Sequence, residues 1–459
     1  MADRLQSTSG LLSVVYRCAG VETDFEIMPD RSAHPGFFSL DDGTPCYGRL
    51  SGTQPALAPG GILPQTAGEM RDGRVGLRFD PAEVVDGLRL ERYVDQSDGS
   101  QSLVRRLYYS IRPLLPVAVR KYLQRASLRG WDRIAFPQWP VDRSADRLHE
   151  WLLRLAMRAQ GVREIPFVWF WPNGHSSCVI VTHDIETAAG RDFCPQLMAI
   201  NNSYEIKSSF QVVPEERYTV AAEFLDSIRE QGFEVNIHDL NHDGQLFYLG
   251  YKHFRDRVER INRYGKAFGA RGFRSAVLYR NPEWLGDLDF AYDMSVPNVA
   301  HLDPQRGGCC TLMPYFIGNL LEIPVTATQD YSLFHILNDY STSLWERQLA
   351  VIQEAHGMAS FIIHPDYIIE SRARKTYEKL LQLLATARTT KHVWIARPGE
   401  MCDWWRARSK MRLVHTDRGW TVEGEGSDRA RIAYAFLDDH RIGYRVESPA
   451  PSNVVVAMN

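Results

Sequence analysis

Two histidines four residues apart, His238 and His242, close a run that begins Glu234-Val-Asn-Ile-His238. Two carboxylates separated by Ile185, Asp184 and Glu186, close another: Cys178-Val-Ile-Val-Thr-His-Asp-Ile-Glu186. A third histidine, His364, ends Ala359-Ser-Phe-Ile-Ile-His364 ahead of Pro365, and Arg274 ends Gly272-Phe-Arg274. Two histidines and one carboxylate with an open position are a familiar ligand set for catalytic zinc. His238 and His242 are the candidate pair, and the chemistry in view is amide hydrolysis. That reaction needs a nucleophile, a stabiliser for the oxyanion and a proton for the departing amine. A divalent metal supplies the first two, by lowering the pKa of bound water and polarising the carbonyl. A protonated histidine such as His364, its pKa raised by a nearby carboxylate, supplies the third. Plainer readings stand beside these: a loop-bound histidine for one of the pair, a satisfied core histidine for His364, a structural salt bridge for Arg274. Asp239 and Asp243 each lie one residue from the pair and read as outer or solvated groups. Alternation sends His183 to the other side of its strand from Asp184. His301, His335 and Asp330 fall on loops that the pattern does not place.

The elements that carry these residues follow from the same runs. An apolar β-branched stretch that ends abruptly in acids is how a buried parallel strand delivers side chains to the open end of a sheet or barrel. Carboxylates at such ends read as site residues. The sequence predicts strands at Cys178–Thr182, Ser208–Val213, Glu234–His238, Ala270–Arg274, Met294–Val296, Leu321–Thr326, Ser360–His364 and Val393–Ala396. Helical patterns lie between several of them: Tyr218 to Gln231, closed by Gly232, then His253 to Gly265, and Leu344 to Gly357. Strand and helix in alternation mean a parallel sheet with right-handed crossovers. Seven or eight such units are arranged most simply as a closed or nearly closed barrel. After Arg397, four short alternating stretches with Gly and Asp between them predict a small antiparallel β appendage.

In this order, and each at a strand end, the motifs resemble those of the polysaccharide deacetylase family, the nodulation-factor deacetylase homology group. The matching pieces are Thr182-His-Asp184-Ile-Glu186, His238 to His242, Arg274, Asp293-Met-Ser295 and Ile363-His364. They span roughly Ser177 to Arg397, about half of the chain. The resemblance implies a distorted (β/α) barrel, often of seven strands, and one divalent metal, with zinc first and cobalt or nickel as alternatives. It implies Asp184 as general base, and Glu186, His238 and His242 as metal ligands. Arg274 would pair with the base, His364 would be the acid, and Asp293 would orient it. The opposite assignment, Asp184 as ligand, stays open, because Ile185 separates two carboxylates that are adjacent in the family. The chain also departs from the family after Arg274, where Ser275-Ala-Val stands in place of a proline and an aromatic residue. The tryptophan that often follows the Asp293 motif is missing too.

The bulk properties frame this reading. With 459 residues, 44% of them hydrophobic, the chain has material for two or three domains. Boundaries fall at residues 1–100 (a mixed α/β region), 101–165 (a basic helical connector), 166–405 (the barrel) and 406–459 (the appendage). A net charge of −3 gives no hint of nucleic-acid binding. The seven scattered cysteines read as reduced thiols. Neither a membrane-spanning stretch nor a secretory signal is recognisable, which points to the cytoplasm or the inner membrane face. Residues 101–131 carry Arg105, Arg106, Arg112, Arg120, Lys121, Arg125 and Arg129 with interleaved aromatics. They would either meet an anionic membrane surface or pack as ordinary basic helices. The expected activity is metal-dependent removal of an acetyl group from an N-acetylated sugar, a surface polysaccharide or its precursor. The alternatives are hydrolysis of a non-sugar amide and an inactive barrel that binds glycan or scaffolds an assembly.

Overall fold

In the computed structural model the described residues are 8–447, apart from 22, 24, 72–73, 95–118, 120–122, 124, 418 and 440. Most of the basic stretch 101–131, and with it the expected membrane contact, therefore lies outside the described residues.

The barrel begins at β1 (Cys178–Ile185), all eight residues of which are buried. A continuous apolar run suits a strand covered on both faces, as parallel strands are. Parallel pairing then proceeds through β2 (Ser209–Val212), β3 (Glu234–His238), β4 (Gly272–Arg274), β5 (Tyr292–Asp293) and β6 (Leu320–Glu322). On its other side β1 pairs with β7 (Met358–Ile363). A last strand, β8 (Trp394–Ile395), pairs with the start of β1 below β2. The ring closes between the chain after β6 and β7. There Ala327 N–H donates to Ser360 O (3.2 Å), Thr326 Oγ1 donates to Met358 O (2.8 Å), and Ser360 N–H donates back to Thr326 Oγ1 (2.9 Å). This is the distorted seven-stranded (β/α) barrel expected from the sequence. Helices α1 (Ala188–Ser203), α2 (Ala222–Glu230), α3 (Tyr251–Ala267), α4 (Ser343–Glu354) and α5 (Ser371–Thr390) connect the strands, and α6 (Pro398–Arg408) follows β8.

The expected Cys178–Thr182 runs on to Ile185, the expected Leu321–Thr326 is Leu320–Glu322, and one expected strand is displaced. Met294–Val296 is not a strand, and β5 is Tyr292–Asp293. The backbone N–H groups of Ser295 and Val296 donate to the side chains of Asp293 (3.2 Å) and Glu322 (3.0 Å), so they are withdrawn from the ladder.

Before the barrel, helices Thr8–Tyr16, Pro81–Arg89 and Ser144–Gln160 pack with two small sheets in an apolar core that continues into the barrel through Cys178, Ile180, Met294 and Met358. The apolar run Leu11–Tyr16 belongs to the first of these helices. After the barrel come a hairpin, Arg412–Thr416 with Gly419–Glu423, and two strands, Ile432–Asp438 and Arg441–Val446. Ile432–Asp438 also pairs with Glu164–Val168, so the C-terminal sheet takes one strand from ahead of the barrel. Arg408, at the end of α6, is buried at this junction. It donates to the carbonyls of Val15 (3.0 Å), Val168 (2.6 Å) and Trp169 (2.9 Å). All seven cysteines are free thiols. Among the described residues no helix is long and apolar enough to cross a membrane.

Candidate active site

The C-terminal ends of β1, β3, β4 and β7 gather six of the seven expected site residues at one mouth. Glu186 sits just past β1, and its Oε1 lies 2.8 Å from His242 Nε2, 3.8 Å from His238 Nε2 and 3.4 Å from His364 Nε2. His238 ends β3, and its Nδ1 is 3.2 Å from the Arg274 carbonyl. That carbonyl can only accept, so Nδ1 carries the proton and Nε2 faces the mouth with its lone pair. His242 follows a sharp turn and has a left-handed backbone, φ 55°. Arg217 holds that turn by donating to the carbonyls of Asn241 (3.1 Å) and His242 (2.6 Å). The Tyr218 hydroxyl braces the end of β1 by donating to Ile185 O (2.7 Å).

These contacts leave His238 Nε2 buried without a hydrogen-bond partner and His242 Nε2 with only the Glu186 carboxylate, at 2.8 Å, beside it. Buried nitrogens are rarely left so. One donor atom each from Glu186, His238 and His242 lie within 4.8 Å of one another. That spacing and the donor chemistry fit one divalent ion held through bonds of about 2.0–2.2 Å. Asp184 falls outside this trio.

Asp184 has a different partner. Its Oδ1 accepts from Arg274 Nη1 at 2.7 Å, and the same nitrogen donates to Thr182 Oγ1 at 2.7 Å. Arg274 is fully buried, and its Nε donates to Met294 O (3.0 Å). Burial favours the neutral acid, but the Arg274 guanidinium, with His238 and His364 beside it, outweighs that and holds the Asp184 carboxyl below the usual carboxylate range. Burial likewise opposes ionisation of Glu186, and the surrounding histidines overcome it, setting its carboxyl well below its ordinary value.

His364 ends β7. Its Nδ1 is 2.6 Å from Asp330 Oδ1, and its backbone N–H donates to Asp330 Oδ2 at 2.7 Å. Burial disfavours the imidazolium, yet Asp330 and then Glu186 raise the His364 pKa well above the ordinary histidine value. Its Nε2–H therefore points into the mouth as a proton donor.

The carboxylate that orients His364 is thus Asp330 and not Asp293. Asp293 is buried in the barrel wall, where it accepts from Ser295 Oγ (2.7 Å) and Ser295 N–H (3.2 Å). The sequence offered Asp330 no visible link to His364. The two stand 34 residues apart, and Asp330 lies on a segment without strand or helix periodicity. Tyr367, three residues past His364, was not singled out from the sequence either, and its ring packs on that histidine at 4.7 Å between centroids. His183 points away from the mouth, as alternation requires. Asn201 Nδ2 lies 2.9 Å from its Nε2, and burial pushes the imidazole down to about 3. Asp243 is held by Arg257 at 2.6 Å, and Asp239 accepts from backbone N–H groups of Leu240 and Ala276.

No family model and no curated protein matches the sequence. Solved structures do. The barrel half of the chain is similar to polysaccharide deacetylases. A Mycobacterium smegmatis protein assigned as a polysaccharide deacetylase is 19% identical, with 51% of this chain and 92% of that one covered at a TM-score of 0.42. A probable polysaccharide deacetylase from Pseudomonas aeruginosa PAO1 is 14% identical, covering 51% and 93% at 0.40. The allantoinase PuuE is 13% identical, covering 51% and 92% at 0.40. Each likeness spans only about half of this chain, and the reading of the site rests on its geometry.

Proposed function

We propose that this chain is a metal-dependent hydrolase that removes the acetyl group from an N-acetylated sugar. One observation carries the reading: a three-donor cluster, an arginine-paired carboxylate and a carboxylate-paired histidine converge on one barrel mouth. Glu186, His238 and His242 would hold the ion, and a two-histidine, one-carboxylate set suits zinc. When bound, a divalent ion supplies an acidified water and polarises the amide carbonyl. Asp184, kept ionised by Arg274, takes the proton from the attacking water. His364, kept protonated by Asp330, gives a proton to the departing amine. A base held anionic and an acid held cationic at neutral pH are the pair that amide hydrolysis needs.

The test measures metal content and acetate release from N-acetylglucosamine oligomers. The wild-type protein should carry near-stoichiometric zinc after loading and release acetate. The double variant His238→Ala/His242→Ala should fold, bind no metal and release none. Unchanged metal content in that variant would falsify the assignment of the cluster. Acetate release from simple acetamides but from no sugar would favour a non-sugar amide as substrate.

A further inference from the structure

Asp293 and Glu322 are neighbours in register on β5 and β6, both with no exposed surface. Among the described residues neither has an ion-pair partner of its own. Asp293 accepts from Ser295 Oγ and Ser295 N–H. Glu322 Oε1 accepts from Val296 N–H, and Oε2 has no donor other than what Asp293 can share. Arg280, whose charge acts on Glu322, is committed to Glu91 at 2.6 Å. Two adjacent carboxylates cannot both be ionised in such a wall, because each charge is desolvated and repelled by the other. A hydrogen bond between them needs one proton.

We propose that Asp293 and Glu322 share one proton, and that this proton is what positions Arg274, and through it Asp184, for the reaction. The second half rests on the function proposed above. The connection is short. The Glu322 carboxyl O–H donates to Asp293, and Asp293 fixes Ser295. Ser295 Oγ accepts from Ser275 N–H (2.9 Å), the residue after Arg274, while Met294 O accepts from Arg274 Nε (3.0 Å). Loss of the proton places two anions side by side and parts β5 from β6, and the support under Arg274 goes with them. Burial and then Asp293 raise the Glu322 pKa well above the usual carboxylate range, and burial raises that of Asp293. The other titratable or charged groups facing Glu322 are Cys309, Tyr315 and Arg280. The thiol and phenol are neutral at neutral pH, since burial raises both.

Infrared difference spectra between wild type and variants test the proton directly. A protonated-carboxyl band should be present at neutral pH in wild type and lost in both Glu322→Gln and Asp293→Asn, each of which leaves one carboxylate facing an amide donor. Positioning is read from the Arg274 Nε–H resonance, assigned with Arg274→Lys. It should stay in place in Glu322→Gln and move in Glu322→Leu. On zinc-loaded protein, Glu322→Gln should keep kcat, while Glu322→Leu should lose about tenfold to 10²-fold, as a small misplacement does, with its zinc retained. Should Glu322→Leu fail to fold, the Glu322→Gln rescue still decides. A band that survives in either single variant defeats the shared proton. An unmoved resonance and full kcat in Glu322→Leu defeat the positioning role. A wild type that hydrolyses no sugar defeats the proposed function instead, and leaves the band and the resonance to be read.

Discussion

At the scale of residues, the two acids after β1 should fail in different ways. Asp184→Asn removes a proton acceptor but leaves Glu186, His238 and His242 in place. Metal should stay, and turnover should fall by roughly 10²- to 10⁴-fold, the worth of general-base catalysis. Glu186→Gln removes the one anionic donor of the trio, so metal affinity should weaken first and excess zinc should restore part of the rate. The swapped pattern, metal lost in the first variant and kept in the second, would exchange their roles. A second residue-level prediction concerns Asp330. The His364 pKa is raised in the folded protein, so its stabilising pair with Asp330 is complete below the ordinary histidine range and is lost as pH rises through the raised value. Asp330→Asn removes the main source of that rise. The alkaline limb of kcat/KM should move to lower pH, and an unmoved limb would separate Asp330 from the acid. Asp184, Glu186, His238 and His364 were legible in the sequence because they close apolar runs, and His242 because it stands four residues past His238. Asp330 was not, because its pairing with His364 is made by tertiary closure and leaves no local pattern.

At the scale of elements, the places of the strands in the chain were legible and their bounds were not. β1 announces itself through eight buried residues in a row. β5 has two residues, and the backbone beyond it answers to the Asp293 and Glu322 side chains, a preference that propensity cannot show. The C-terminal strands were expected, but the third strand of their sheet, Glu164–Val168, was not, because it lies far away in the chain. Arg408 ties that strand to α6 and to the first helix through buried carbonyls. Arg408→Leu keeps the volume roughly but leaves those carbonyls unpaired. Unfolding in denaturant should show a loss of about 2–4 kcal/mol, with metal binding intact in the folded fraction. A change near zero would mean that water reaches the junction and replaces the guanidinium.

At the scale of the whole molecule, the barrel and the N-terminal region are joined by one deeply buried ion pair, Glu91 with Arg280, six residues past Arg274. Glu91→Ala leaves the guanidinium buried and alone, which costs about 3–5 kcal/mol, and thermal denaturation should show the barrel and the N-terminal region weakened together. The barrel's closure has another effect. Between β6 and β7 much of the stitching is done by side chains, Thr326 at Ser360 and Asp330 at His364. Elsewhere around the ring, backbone ladders do that work. Regions held in this way open at lower free energy than the ladders beside them. Amides of Ser360 and His364 should exchange with deuterium ahead of those of β1, although all are buried. Each opening also takes Asp330 away from the imidazole. The proton on His364 is then held tightly only while the ring is shut, so the acid proposed for the reaction would be armed by closure of the barrel itself.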